Sequence, residues 1–214
     1  MRSLVIAVLL TSPIASSEPI VPDAAIDVGV ASVAMPRDVF GLGEVDQSAT
    51  VPYAGVRGGV RTGRFALGAF ASYTAFGTAG GTGSFDGLCY EANWREHDHV
   101  VDLGARVEVR ARGAFLAISG GTELLFADGV YTEGYSSSPM PPVVTTSSRS
   151  YVLAGVLARA ELGYTFPRLA GCRCAPQIVA AVQYAQYVPT PPDFGPPQPD
   201  HSEMARVGVG LVFW

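Results

Sequence analysis

Strict alternation of apolar and charged side chains is the feature that most constrains the fold of this chain. Between residues 101 and 111 every odd position is Val, Leu or Ala, while Asp102, Arg106, Glu108 and Arg110 stand at even positions. Successive side chains of a strand point to opposite faces, so a period of two predicts a strand with one apolar and one charged face. A helix would mix both kinds around its circumference.

The same alternation recurs along the chain. Between residues 152 and 166 the even positions are apolar, whereas Arg159 and Glu161 stand at odd positions. Glycines inside most of these runs would destabilise a helix by about 1 kcal/mol each. Eight strands are therefore predicted, at residues 26–35, 53–62, 64–76, 100–112, 115–126, 151–166, 177–188 and 204–213.

Long and short connections alternate between these strands. The long ones are residues 36–52, 77–99, 127–150 and 189–203, and the others are tight or compact turns. Transmembrane barrels are built in this way, with an even number of antiparallel strands, short periplasmic turns and longer outer loops. The chain is therefore predicted to be all-β, an eight-stranded antiparallel up-and-down transmembrane β-barrel with both termini on the periplasmic side.

The charged residues indicate which face of the wall meets lipid. They make up 15% of the chain and include no Lys, and Arg suits buried ion pairs better than Lys does. An Arg on the lipid face near the bilayer midplane would cost about 2–4 kcal/mol. We expect apolar faces toward lipid and an ion-pair network in the lumen. The predicted network consists of Asp27, Arg57, Arg61, Asp102, Arg106, Glu108, Arg110, Arg112, Glu123, Arg159, Glu161 and Arg206.

A tight turn at residues 113–114 would set the register of the strands on either side of it. A two-residue loop there places Gly104 opposite Glu123, with Arg106 as a diagonal neighbour within side-chain reach. The sequence thus predicts a contact between Arg106 and Glu123.

Aromatic residues are predicted to form a ring at each end of the apolar band, as membrane interfaces favour. The ring at the short-turn end comprises Phe65, Phe115, Tyr164, Phe166, Phe213 and Trp214. The ring at the long-loop end comprises Tyr73, Phe76, Phe126, Tyr131, Tyr151 and Tyr187.

The first 17 residues have the layout of a secretory signal peptide. Arg2 precedes an apolar run at residues 4–10, and small residues stand before Glu18. We expect residues 18–214 to be the exported barrel domain. In an oxidising compartment cysteines form disulfides, but the chain has three, at positions 89, 172 and 174. The sequence leaves open whether the last two pair with each other or stay free.

These features together resemble the small eight-stranded outer-membrane barrels of the OmpA, OmpX and OmpW type, down to the terminal strand ARVGVGLVFW. The resemblance implies location in the bacterial outer membrane and contact with outer-membrane lipid and lipopolysaccharide. It also implies a terminal strand read by the barrel-assembly machinery, with Phe213 and Trp214 as the signal. In that family the terminal aromatic shares the lipid-facing parity, and here Phe213 has that parity whereas Trp214 does not.

Two short motifs contain residue types found in catalytic or metal sites. The His-Asp-His triplet at residues 97–99 offers imidazole and carboxylate groups, yet it falls at the edge of a predicted loop. The His-Ser-Glu triplet at residues 201–203 has the residue types of lipid-modifying barrels, but adjacent strand residues point to opposite faces. We therefore predict no catalytic, cofactor or metal site and expect no enzymatic activity.

An eight-stranded lumen is just wide enough for side chains to fill it. We therefore expect a monomeric outer-membrane protein with a closed, charged lumen and a structural or adhesion-type role carried by long extracellular loops. The net charge of −5 argues against a nucleic-acid partner. Three alternatives stay open: a narrow channel for small or hydrophobic solutes, a soluble lipocalin-like ligand-binding barrel, and a lipid-modifying outer-membrane enzyme.

Overall fold

The computed structural model describes residues 18–38, 44–85, 90–135, 143–188 and 198–214. These residues form eight strands: β1 (Val21–Asp38), β2 (Glu44–Thr62), β3 (Phe65–Phe85), β4 (Tyr90–Ala111), β5 (Ala114–Tyr135), β6 (Val143–Thr165), β7 (Cys174–Tyr187) and β8 (His201–Phe213). Each strand pairs antiparallel with the next, and β1 pairs with β8 to close the barrel. The predicted all-β class and strand number are confirmed. The predicted signal peptide lies outside the described residues.

The strands reach farther at the long-loop end than predicted. β3 continues to Phe85 and β4 begins at Tyr90, so the predicted loop at residues 77–99 is mostly strand. The predicted loops at residues 36–52 and 127–150 are likewise mostly strand. Gly and Ser favour loops in isolation, but an antiparallel ladder gives every backbone N–H and C=O a partner, which outweighs that weak preference.

At the short-turn end, the turn between β4 and β5 lies one residue before the predicted position at residues 113–114. Arg112 and Gly113 form the turn between β4 and β5, with φ values of 51° and 90°. A two-residue hairpin favours positive φ at both of its central positions, and Gly at the second meets that requirement. The predicted register is therefore wrong: Gly104 lies opposite Gly121, and Glu123 lies opposite Asp102.

The outward face of the wall is apolar around its whole circumference. Ile118, Val156 and Val207 are 68%, 71% and 63% exposed, values typical of surface residues. Soluble monomers rarely expose contiguous apolar patches larger than a few hundred Å², and this band crosses all eight strands. This exposed band excludes a soluble barrel in which the apolar faces of the strands point inward and form the core. Its members include Ile26, Val28, Val30, Val56, Val60, Leu67, Leu103, Val107, Leu116, Leu162, Ile178, Val182 and Val209.

Outward-facing aromatic residues border this band at both ends, although the membership of the rings differs from the prediction. Phe65, Tyr164, Phe166 and Phe213 face outward at the short-turn end, and Tyr73, Phe126 and Tyr184 do so at the other end. The remaining predicted members with described side chains do not belong to the outward rings. Phe76, Phe115 and Tyr187 are buried inside the barrel, Tyr151 packs against the interior cluster, and Trp214 is half-buried.

Candidate functional site

The barrel interior consists of two layers along the barrel axis. The layer nearer the short turns, here the ion-pair layer, contains Asp23, Asp102, Arg106, Glu108, Arg110, Arg159, Glu161 and Arg206. The layer nearer the long connections, here the apolar plug, contains Ala31, Val33, Met35, Val51, Tyr53, Phe76, Val100, Leu125, Leu153, Tyr187 and Met204. The lumen is thus charged nearer the short turns and apolar nearer the long connections.

Asp102 on β4 is the centre of the ion-pair layer. Its Oδ2 lies 2.7 Å from Nη2 of Arg159 and 2.6 Å from Nη2 of Arg206. Ser72 donates a hydrogen bond to the same oxygen at 2.6 Å, and Gln183 donates to Oδ1 at 3.1 Å. This one fully buried carboxylate therefore links side chains from β3, β6, β7 and β8 to β4.

Acidic and basic side chains alternate from this centre toward the short turns. Arg159 lies 3.7 Å from Glu161, whose Oε2 accepts a hydrogen bond from Nε of Arg106 at 3.0 Å. Arg106 also pairs with Glu108, and Glu108 pairs with Arg110. Buried charges need such compensation, since an unpaired one costs several kcal/mol.

The end of this chain of ion pairs lies at the start of β1. Nη2 of Arg110 is 3.3 Å from Oδ2 of Asp23. Asp23 precedes the first predicted strand and was therefore not among the predicted network residues. The signal was present, because the alternation of β1 extends back to Val21.

Aromatic rings inside the barrel pack against the guanidinium groups of the arginines. Phe70 lies 4.4 Å from the guanidinium carbon of Arg159. The ring of Phe115 lies 5.4 to 5.7 Å from the guanidinium carbons of Arg57, Arg106 and Arg110. Cation–π contacts of this kind are stronger where the cation is removed from water. An aromatic predicted for the membrane interface thus stabilises the interior instead.

Glu123 has a different environment from its cross-strand neighbour Asp102. It accepts hydrogen bonds from Ser202 at 2.5 Å, from Gln183 at 2.6 Å and from the Tyr187 hydroxyl. The predicted contact with Arg106 is wrong, because the true register moves Glu123 toward the apolar plug. Neutral donors therefore surround this carboxylate, and Tyr187 and Gln183 connect it to both layers.

The other predicted network residues lie at the margins of the ion-pair layer. Arg57 donates to Gln177, and the Asp27 carboxylate lies beside Gly55 and lines a small interior cavity. Arg61 lies over the Trp214 ring, 5.1 Å from its centroid. Arg112 is exposed in the turn, so its predicted place in the lumen is wrong.

The two triplets that contain catalytic residue types are divided between the two faces of the wall. His97 and His99 face outward on β4, where the prediction placed a loop, and Nδ1 of His99 lies 2.7 Å from the Tyr73 hydroxyl. His201 stacks on Tyr184 at 5.4 Å, while Ser202 points inward. Across the described residues, no three His, Cys, Asp or Glu side chains are grouped to hold a metal ion.

Two of the three cysteines lie at the junction of the β6–β7 turn with β7. Cys172 and Cys174 form a disulfide with a Cα–Cα distance of 5.1 Å. This resolves the alternative between a bridge and two free thiols. Cys89 lies outside the described residues.

A closed barrel with an encircling apolar band, aromatic residues at both of its borders and a packed interior defines a transmembrane β-barrel of the bacterial outer-membrane type. The short turns accordingly face the periplasm. In the described ranges, no helix is long and apolar enough to cross a membrane.

Solved structures of small outer-membrane barrels are similar in fold to this chain. Ail, the attachment invasion locus protein of Yersinia pestis, is 16% identical with a TM-score of 0.46, covering 90% of this chain and 99% of its own. A major outer membrane protein of Thermus thermophilus is 13% identical with a TM-score of 0.49, covering 89% and 99%. OprG of Pseudomonas aeruginosa is 10% identical with a TM-score of 0.44, covering 89% and 95%. No protein-family model and no curated protein sequence matches the chain.

Proposed function

We propose that this protein is a monomeric, non-conducting outer-membrane protein that uses an extended outer sheet to bind extracellular partners. The extension of β3 to β6 beyond the closed barrel carries the proposal. Pairing between β2 and β3 ends at Tyr53 and Thr74, and pairing between β6 and β7 ends at Gly155 and Tyr187. Beyond these points β3, β4, β5 and β6 continue to pair with one another.

The extension, here the outer sheet, spans residues 75–85, 90–99, 127–135 and 143–154. Pairing of β5 with β6 continues to Tyr135 and Val143. At 3.3–3.4 Å per residue, the segment 143–154 makes a ladder about 40 Å long. Such a sheet extends the barrel wall beyond the points where the β2–β3 and β6–β7 pairings end.

One edge of the outer sheet offers unpaired backbone groups. The amide of Val188 donates to the carbonyl of Ala154 at 3.1 Å, so the even-numbered residues of β6 turn their backbone groups toward β7. From Val152 to Val144 these groups have no strand partner among the described residues. An exposed edge of this kind accepts an added strand from an extended polypeptide.

The apolar plug argues against the alternative of a channel. Eleven buried side chains drawn from all eight strands pack together across the outer half of the lumen. The ion-pair layer fills the lumen beneath them. Two successive packed layers favour a role at the surface over a role in conduction.

We also propose two partners in the membrane. The outward face of the wall contacts outer-membrane lipid and lipopolysaccharide. Phe213 serves as the signal for the barrel-assembly machinery, since its ring faces outward at the end of β8 and is 39% exposed. Trp214 lies between Arg61 and Arg168 instead.

Replacing one edge residue tests the proposed function. Ser148→Pro removes an edge amide of β6 without removing a bond to β5, because Pro is tolerated where the N–H faces solvent. The protein in lipid nanodiscs is assayed against an immobilised panel of extended, β-forming peptides. Binding is expected for the native chain and to fall about tenfold or more in Ser148→Pro.

Ser148→Ala is the matched control, since it changes the same side chain and keeps the amide. It should bind as the native chain does. Equal binding by all three proteins would remove the edge from the proposal, and single-channel conductance by the native chain in planar bilayers would favour the channel.

A further inference from the structure

Exposed positive charge collects at the periplasmic end of the barrel. Arg64 lies in the turn between β2 and β3, Arg112 between β4 and β5, and Arg168 and Arg173 between β6 and β7. All four side chains are exposed. Every connection at this end therefore carries at least one arginine, and together these four residues are named the periplasmic arginines.

We propose that the periplasmic arginines bind the phosphate groups of anionic phospholipids in the inner leaflet of the outer membrane. A guanidinium presents planar, paired donors that match phosphate oxygens and stays charged at every physiological pH. Four of them around one rim would retain anionic lipids in preference to zwitterionic ones.

Little negative charge opposes these arginines. Glu18 is the acidic side chain described beyond the strands at this end. Its backbone oxygen accepts a bond from Thr62, and its carboxylate lies beside Gly63, next to Arg64. Inside the wall from Glu123 to the short turns, acids and arginines balance in number. The acids are Asp23, Asp27, Asp102, Glu108, Glu123 and Glu161, and the arginines are Arg57, Arg61, Arg106, Arg110, Arg159 and Arg206.

The opposite end of the described chain has the reverse charge balance, with few arginines and many acids. Its arginine with a described side chain is Arg95. Its acids with described side chains are Glu96, Asp98, Asp128, Asp200 and Glu203. The two ends of the barrel are thus electrically unlike, and attraction to an anionic layer is confined to the periplasmic end.

The depth of the arginines favours lipid over a more distant polymer. Arg64 directly precedes Phe65, and Arg168 follows Phe166 by two residues. Both aromatic rings face outward, 44% and 42% exposed, at the level where membrane interfaces hold aromatics. With a rise of about 3.3 Å per residue, the arginines lie at the depth of lipid phosphates.

One of the four arginines is held in place by an aromatic ring. The guanidinium carbon of Arg168 lies 4.9 Å from the centroid of Trp214, which also contacts Arg61 at 5.1 Å. A cation stacked on tryptophan loses less freedom when it takes a ligand. Trp214 also provides a fluorescent probe within the proposed site.

The test measures quenching of Trp214 by lipid. The chain has two tryptophans, so Trp94→Phe leaves one emitter. The barrel is folded into vesicles of phosphatidylcholine brominated near the headgroup. Unbrominated phosphatidylglycerol or unbrominated phosphatidylcholine is then added as competitor. We expect phosphatidylglycerol to relieve quenching at a severalfold lower mole fraction, with this preference falling at high salt.

Substitution of the arginines tests whether they cause the preference for phosphatidylglycerol. Replacing all four periplasmic arginines with Gln should bring the preference for phosphatidylglycerol close to one, and Arg168→Gln alone should lower it by a smaller factor. Replacing all four with Lys should keep most of it. Arg95→Gln, an exposed arginine on the outer part of β4, should leave it unchanged. Folding of each variant is checked by its heat-dependent shift on a detergent gel.

Three results would overturn the proposal. The first is an equal response to both competitor lipids, and the second is a preference that survives the four Gln substitutions in a folded barrel. The third is arginine-dependent sedimentation with purified peptidoglycan together with unselective quenching, which would assign the arginines to the cell-wall polymer. None of these results bears on the outer sheet, so the test is independent of the proposed surface role.

Discussion

The ion-pair layer and the apolar plug fill the same barrel in opposite ways. In the ion-pair layer, directional bonds to Asp102 fix the relative positions of side chains from several strands. In the apolar plug, Leu125 and Val33 are fully buried and hold their places by shape alone. The comparison teaches that a narrow lumen can be closed by charge compensation or by packing. The two layers should therefore fail differently when a single residue is changed.

The largest effect is expected in the ion-pair layer. Asp102→Asn keeps the shape of the side chain but leaves Arg159 and Arg206 without their shared carboxylate. Breaking a buried pair in this way costs about 3–5 kcal/mol. Urea unfolding of the barrel in lipid vesicles, followed by the heat-dependent gel shift, measures the loss. An unfolding midpoint equal to that of the native chain would mean that the layer adds no stability.

A somewhat smaller effect is expected in the apolar plug. Leu125→Ala leaves a cavity among side chains that cannot collapse, which costs about 2–5 kcal/mol. The adjacent Leu124 faces outward, so Leu124→Ala is the matched control. Its loss should be smaller because lipid chains fill the vacated space. Equal losses in the same unfolding assay would show that the plug is loosely packed.

The smallest effect is expected where the two layers meet. Glu123→Gln replaces a carboxylate whose described donors are neutral, so it should change the free energy of unfolding by about 1 kcal/mol or less. Tyr187→Phe removes one of those donors and should cost about as much. Because the two residues share a hydrogen bond, their double variant should be non-additive. A loss for Glu123→Gln as large as that for Asp102→Asn would erase the distinction between the neighbouring carboxylates.

Sequence periodicity was sufficient to predict the strands and their outward faces. Inward and outward side chains alternate along each strand of the wall. Residues such as Val156 and Val207 follow this alternation, which depends only on the local sequence. The apolar plug was not predicted, because an inward apolar residue such as Leu125 beside an outward one such as Leu124 gives no alternating signal. Both faces of that strand are apolar there, and only closure of the barrel separates them.

The contacts between side chains within the lumen could not be predicted from the sequence for a related reason. A shift of one residue at the Arg112 turn moves the cross-strand register by two and gives Glu123 a different neighbour. Contacts between Asp102 and Arg206 join strands on opposite sides of the barrel, where no local pattern constrains the pairing. Turn chemistry and the geometry of closure decide these contacts, and both are properties of the folded wall.

The contact between Asp102 and Arg206 has a consequence for the order of assembly. Arg206 belongs to β8, the last strand of the barrel in chain order, while Asp102 belongs to β4. Until β8 joins β1, Asp102 lacks its second cation and the interior is electrically incomplete. If β8 joined two residues out of register, Gly208 or Met204 would stand where Arg206 belongs. The pairing of β8 with β1 is therefore stable only in the register that balances the interior charge. Closure of the barrel and selection of the correct register thus occur in a single step.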